Sequence, residues 1–182
     1  AHTNDESVVI PETVNYNNRT YTVTVIGDGN SNYSNGSCSF SSKLKSIQLP
    51  NSIVEINSYC FSRCSNLSEI KIPNSVTTIK GSAFQYCGLT SLVIPESIKK
   101  IVNGAFYGNS HLMEVFFLGS EKPEIRSNAF GYCHSALTLY VPNKEAYGNA
   151  SNMVQYVSFP TSTYTYTGMA PKLEWQNNLK GY

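Results

Sequence analysis

The residues best able to do chemistry in this 182-residue chain are its five cysteines and three histidines. Cys133 and His134 are adjacent, which suggests a thiol nucleophile beside its base, but neighbouring side chains on a turn normally diverge. His111 and His134 fall one repeat apart in neighbouring columns, where two histidines could begin a metal site. No Asp or Glu in the same frame completes the ligand set. Glu55, Glu69, Glu96 and Glu114 are scattered and read as solubilising surface rather than an acid–base pair. Ser52, Ser75 and Ser97 recur before Ile or Val. A role repeated in every unit is a turn role, since catalysis happens once. No GxGxxG, GKS or GxSxG occurs. The sequence therefore assigns no catalytic, cofactor-binding or metal-binding residue, and no enzyme or cofactor is expected.

The cysteines owe their spacing to the element that positions them. Residues 44–66, 67–88 and 89–111 repeat one pattern at intervals of 23, 22 and 23 residues: L-x-x-[IL]-x-[IL]-P-x-S-[IV]-x-x-I, a polar link, Phe, then [CN] three residues on. A period of this length opening with L-x-x-L-x-L marks a leucine-rich solenoid, in which each turn buries its apolar residues only against its neighbours. The fold expected is a right-handed leucine-rich-repeat solenoid of about six rungs, mainly β with short helical or 3-10 turns, and with a β-hairpin-like tail.

The frame assigns the columns. Leu44, Ile47, Leu49 and their counterparts Leu67, Ile70, Ile72 and Leu89, Leu92, Ile94 point inward. Pro50, Pro73 and Pro95 end that strand, because proline cannot donate to a continuing ladder. Ile53/Ile56, Val76/Ile79 and Ile98/Ile101 form a second inward pair, and Phe61, Phe84 and Phe106 an aromatic column. Cys64, Cys87 and Asn109 follow where a turn exposes backbone groups to the interior; Asn hydrogen-bonds them and Cys fills the same volume more weakly. Three of the five cysteines share this column, so they are read as free, buried thiols acting as small hydrophobes.

Outside the clean repeats, Val8–Val14 reads as an atypical first rung and Val14–Val25 as a hairpin about Asn17-Asn18. Residues 28–39 read as an inserted loop, within which or beside which Cys38 or Phe40 must serve in place of the column Phe. Leu112–Phe117 and Ala136–Val141 are strands. Ile125, Phe130 and Cys133 restore the frame between them. A short helix is expected over 143–152 and a closing strand over 154–159. Three parts follow: a capping rung, hairpin and loop over 1–43, the solenoid with its cap over 44–159, and a β tail over 160–182. Tyr164–Gly168 and Leu173–Trp175 would be the strands of that tail.

Composition limits the partners. A net charge of +1 with no run of Lys or Arg lacks the concentrated basic face that nucleic acid or an anionic membrane demands. No apolar stretch reaches 18 residues, so no membrane-inserted span is expected. The polar start at Ala1–Ser7 does not read as a signal peptide.

IPNSVTTIKGSAFQYC, its variants at 50–64 and 95–109, and TLYVPNKEAY resemble the BspA-type leucine-rich-repeat family of bacterial surface proteins over roughly residues 8–159. The resemblance implies a secreted or cell-surface protein that binds or adheres without catalysing. Implied partners are host or bacterial surface proteins, extracellular matrix among them. It supplies no fixed binding residues, and the tail resembles the start of a small Ig-like module, truncated here. Departures are the 28–39 insertion, Asn109 and Leu118. A glycan ligand, given the abundant Tyr and Asn, and a structural spacer are the alternatives; a monomer is expected.

The binding surface is then sought among strand residues facing away from the core: Ser46/Gln48, Glu69/Lys71, Ser91/Val93, Glu114/Phe116 and Thr138/Tyr140. Val93, Phe116 and Tyr140 form an apolar column there, expected to be a partner site if open to solvent, or else to lie under the tail. Six strands give a sheet face on the order of 430 Å², below the about 800 Å² per partner of a stable interface. Adjacent loops or multivalency must then contribute.

Overall fold

Apolar residues of every repeat meet in one interior, and the strands are what that arrangement leaves laddered. The computed structural model describes residues 5–27 and 42–147, together with the backbone strand 155–158. The 28–39 loop, its Cys38 or Phe40 alternative, and the 160–182 tail lie outside the described residues.

The strands are β1 (Ser7–Val9), β2 (Thr13–Tyr16), β3 (Arg19–Thr22), β4 (Val25–Ile26), β5 (Ser46–Gln48), β6 (Glu55–Ile56), β7 (Thr78–Ile79), β8 (Ser91–Ile94), β9 (Lys100–Ile101), β10 (Glu114–Phe117), β11 (Glu124–Ile125), β12 (Thr138–Val141) and β13 (Gln155–Ser158). One helical turn, α1 (Lys144–Tyr147), precedes β13. A parallel sheet runs β4-β6-β7-β9-β11, a second runs β8-β10-β12-β13, and β1 pairs in parallel with β5. Parallel neighbours separated by a full repeat, with Ile56 opposite Ile79 and Ile79 opposite Ile101, are the signature of stacked rungs. The fold is the expected leucine-rich β-solenoid.

At the N-terminal end β2 and β3 form an antiparallel hairpin with Tyr16 opposite Arg19. Its two-residue turn is Asn17-Asn18, both at positive φ (49° and 58°), the conformation a type I′ turn requires and Asn tolerates. The expected hairpin and first rung are both present.

The inward columns fall where the period puts them. Leu44, Ile53, Ile56, Leu67, Ile72, Val76, Ile79, Leu89 and Ile101 are fully buried. Phe61, Phe84, Phe106 and Phe130 stack at 5.0, 5.3 and 5.2 Å between centroids, with planes within 13°. Such ring pairs add about 0.5–1.5 kcal/mol each beyond their buried area.

Two expectations need correction. Leu67–Pro73 keeps its inward pattern but forms no strand, so the sheet face is interrupted between β5 and β8. That segment opens the 22-residue unit, which is closed by Gly88, where an added Cβ would collide with the carbonyl oxygen of Ser65. The Phe-bearing segments are hydrogen-bonded turns rather than helices. In them alternate residues bond in different directions. Cys60, Ser62 and Cys64 donate back three residues within the turn, while Tyr59, Phe61 and Arg63 donate to Gly81, Ala83 and Gln85 of the next rung. Helical bonding would leave those axial bonds unmade.

Candidate partner-binding surfaces

On the sheet face the Val93–Phe116–Tyr140 column is in the expected register. Phe116 stands opposite both Val93 and Tyr140, and the Phe116 and Tyr140 rings stack at 4.5 Å with planes 7° apart. The column is not open to solvent. Val93 is 1 % and Phe116 0 % exposed, and Tyr140 is half-buried with its hydroxyl donating to Glu114 at 3.3 Å. Burial and the Glu114 carboxylate both push the Tyr140 hydroxyl above the ordinary tyrosine range. Val93 and Phe116 nevertheless lie outside the main core cluster. Their alternation with inward Leu92, Val115 and Phe117 puts them on the opposite side of the strands. Exposure, the premise for an interaction site here, is corrected for Val93 and Phe116. On the earlier rungs the equivalent residues Gln48 and Lys71 are exposed.

The turn face carries the open aromatics. Two residues beyond each column Phe stand Arg63, Tyr86, Gly108 and Tyr132, with Tyr107 one residue beyond Phe106. The Arg63 guanidinium lies 5.7 Å from the Tyr86 ring centroid. Tyr86 meets Tyr107 edge-on at 5.8 Å, and Tyr107 meets Tyr132 at 5.0 Å with planes tilted by 42°. Tyr86 is 44 % and Tyr132 80 % exposed. An added Cβ on Gly108 would collide with the Tyr86 ring, and one on Gly131 would come within 3.1 Å of the Tyr107 ring. The glycines thus let each tyrosine lie across the following rung. Burial, then the flanking tyrosines, hold the Tyr107 hydroxyl protonated to a higher pH than usual.

This ladder was not singled out from the sequence. Its members alternate between Phe+1 and Phe+2, so no single column of the repeat contains them. The available signal was the abundance of tyrosine itself.

Most residues that could have done chemistry have structural partners instead, the buried Ser97 hydroxyl being an exception. The Cys133 thiol donates to the Phe106 carbonyl at 3.3 Å, while His134 Nδ1 accepts the Ala136 N–H at 3.1 Å, so the adjacent pair diverges. Burial pushes the Cys133 thiol up to about 11. Cys87 donates to the Phe61 carbonyl at 3.0 Å, and Asn109 Nδ2 to the Phe84 and Phe106 carbonyls at 2.8 and 2.7 Å. One column thus satisfies the turn carbonyls facing the interior, strongly with Asn and weakly with Cys. Cys60, Cys64, Cys87 and Cys133 are thiols rather than disulfides. Ser52 and Ser75 donate to the Val23 and Ile53 carbonyls of the preceding rung. Glu55 pairs with Lys80, and Glu124 with Lys100 and Arg126. Arg126 first, then Lys100, lowers the Glu124 carboxyl below the usual range. Among the described residues, no group of three or more potential metal ligands exists.

Six copies of the BspA-type leucine-rich repeat region match residues 32–163. The chain belongs to that family. Solved structures share the solenoid fold of this BspA-type chain. The leucine-rich repeat protein of T. pallidum superposes with a TM-score of 0.55 at 21 % identity, over 97 % of this chain and 82 % of that one. The pneumococcal vaccine antigen PcpA superposes with a TM-score of 0.54 at 19 % identity, over 86 % of this chain and 36 % of that one. This BspA-type chain therefore spans little more than a third of the antigen's length, and the likeness is one of fold. No curated protein matches it. BspA-type membership suggests a protein-interaction or surface module, and leucine-rich scaffolds are typically non-enzymatic.

Proposed function

We propose that the chain is a non-enzymatic binding module of a secreted or cell-surface protein and that it engages a protein partner. The observation carrying this reading is the turn-face ladder of Tyr86, Tyr107 and Tyr132, exposed at Tyr86 and Tyr132, with Arg63 at its head. Tyrosine and arginine are the residues most enriched at interface hot spots, and with Ser, Asn and Gly around them they resemble the composition of antibody binding loops. The repeat supports the reading from the other side, since its Cys, Ser and Asn columns are used in satisfying backbone groups. The ladder is narrow, so single-site affinity is modest and a surface array of copies supplies avidity.

The test is to probe arrays of extracellular proteins and of glycans with the purified chain. Saturable binding to one or a few proteins is expected. Binding to glycans alone, or to neither array, would sink the protein-partner reading.

A further inference from the structure

We infer that the turn-face ladder is a recognition strip for an extended acidic segment of a partner protein, with Arg63 and the tyrosine hydroxyls meeting its carboxylates. The inference rests on the binding-module reading and names the partner's chemistry. Three independent observations carry it.

The first is backbone conformation. Arg63, Tyr86 and Tyr132 have φ of 65°, 55° and 54°, a left-handed region that costs a residue with a Cβ roughly 1–2 kcal/mol. The turn needs that conformation, because the N–H of Arg63 and of Tyr86 donates along the axis to Gln85 and Tyr107 of the next rung. Gly108 meets the same need at φ 76° and donates to Gly131. Folding would be served better by glycine at all of these positions. The same left-handed backbone recurs two residues before each column Phe, at Tyr59, Ser82, Gly104 and Asn128, so it belongs to the turn; what distinguishes the ladder is that large, exposed side chains stand at Arg63, Tyr86 and Tyr132 where glycine would serve.

The second is the charge. The four turns 57–65, 80–88, 102–110 and 126–134 contain no Asp or Glu. Their other cations, Lys80 and Arg126, are answered by Glu55 and Glu124 from neighbouring segments. Arg63 has no carboxylate partner among the described residues; it lies over the Tyr86 ring, an arrangement that leaves guanidinium N–H groups for a bidentate carboxylate.

The third is ring orientation. Sugar recognition by stacking needs free ring faces. Here Tyr86 is covered by Gly108 on one side and Arg63 lies over its ring, while Tyr107 rests against Gly131. The Tyr86–Tyr107 contact is edge-on, so these two rings offer little free face, and Tyr132 at 80 % exposure is the most open of the three. Ring edges carry the positive end of the aromatic quadrupole, so edges, hydroxyl donors and guanidinium all favour an acceptor-rich anion. From Arg63 to Tyr132 the steps are 5.7, 5.8 and 5.0 Å, a span that an extended peptide crosses with about five residues at ~3.3 Å each.

Fluorescein-labelled hexaglutamate, hexaserine and a hyaluronan hexasaccharide are titrated against the full chain and against Arg63→Asn and Tyr86→Asn/Tyr132→Asn variants. Asn tolerates the left-handed conformation, so the variants keep the turn, and circular dichroism verifies it. Hexaglutamate should bind, hexaserine should not, and affinity should fall severalfold or more from about 0.05 to about 0.5 M salt. Each variant should weaken hexaglutamate roughly tenfold. Equal binding by folded variants, no hexaglutamate binding, or tighter binding of the hyaluronan fragment would overturn the assignment. On the protein array, partners retained undiminished by the double variant refute the ladder and leave the module reading standing. Hexaglutamate binding without any array partner refutes the module reading instead.

Discussion

Three of the four Phe-bearing turns carry a tyrosine one or two residues beyond the column Phe, and the two sets of rings behave oppositely. Phe84 and Phe106 are fully buried with planes 3° apart, whereas Tyr86 and Tyr107, from the same turns, meet at 87°. The inner column repeats at one position, so its rings inherit the parallel translation of the rungs. The outer ladder mixes positions and adjoins glycines that admit a ring lying flat. Stacking inside is a consequence of the repeat, while the ladder outside depends on where the repeat is broken.

The comparison is tested most severely at its inner member. Phe84→Ala removes the middle of the stack and should cost about 3–5 kcal/mol in urea unfolding. A loss under about 1 kcal/mol would mean that the column is not what holds the rungs together.

Phe116 is a second buried ring, on the other side of the sheet. Its burial makes Phe116→Ser a stability change, with roughly 3 kcal/mol lost. An unchanged melting temperature together with lost partner binding would restore the sheet face as the interaction site.

Asn109 joins the two kinds of column, since it is buried and bonds the carbonyls of Phe84 and Phe106. Asn109→Ala should cost about 1–3 kcal/mol by leaving both unpaired. Asn109→Cys should recover part of it, as Cys87 and Cys133 do in their turns. Equal losses for Ala and Cys would show that volume, not hydrogen bonding, sets this position.

Cys133 titrates in a predictable direction. Its folded pKa is raised from 9.0 to about 11, so the stability it contributes is fully present below pH 9 and declines between pH 9 and about 11. Thiol reagents should label Cys64, Cys87 and Cys133 at neutral pH only after denaturant is added. Rapid labelling of all three in buffer would refute their packing role.

The smallest effect should come from the outer ladder. Tyr132→Gly relieves a positive φ at an 80 % exposed residue and should leave stability unchanged or raise it by up to about 1 kcal/mol. Destabilisation by more than that would place Tyr132 in the fold's support rather than on its binding surface.

These outcomes divide along what the chain encodes locally. Period and residue type were enough to place Leu44, Ile56, Phe84 and Asn109, because a repeat that stacks on itself puts equivalent positions in one environment. The Asn17-Asn18 turn was legible for a similar reason: its residue types match the backbone angles it adopts. The same logic could not decide whether Val93 and Phe116 are covered. Period 2 assigns a strand residue to a side of the sheet, but its exposure depends on what packs against that side. Nor could it find the ladder, since Tyr86, Tyr107 and Tyr132 occupy no single position of the repeat and come together only through turn geometry and the missing Cβ atoms at Gly108 and Gly131. The sequence determined the rungs and their core, which follow from short-range pattern and burial. Only the tertiary structure decided which aromatic residues face solvent, because exposure is set by neighbours far away along the chain.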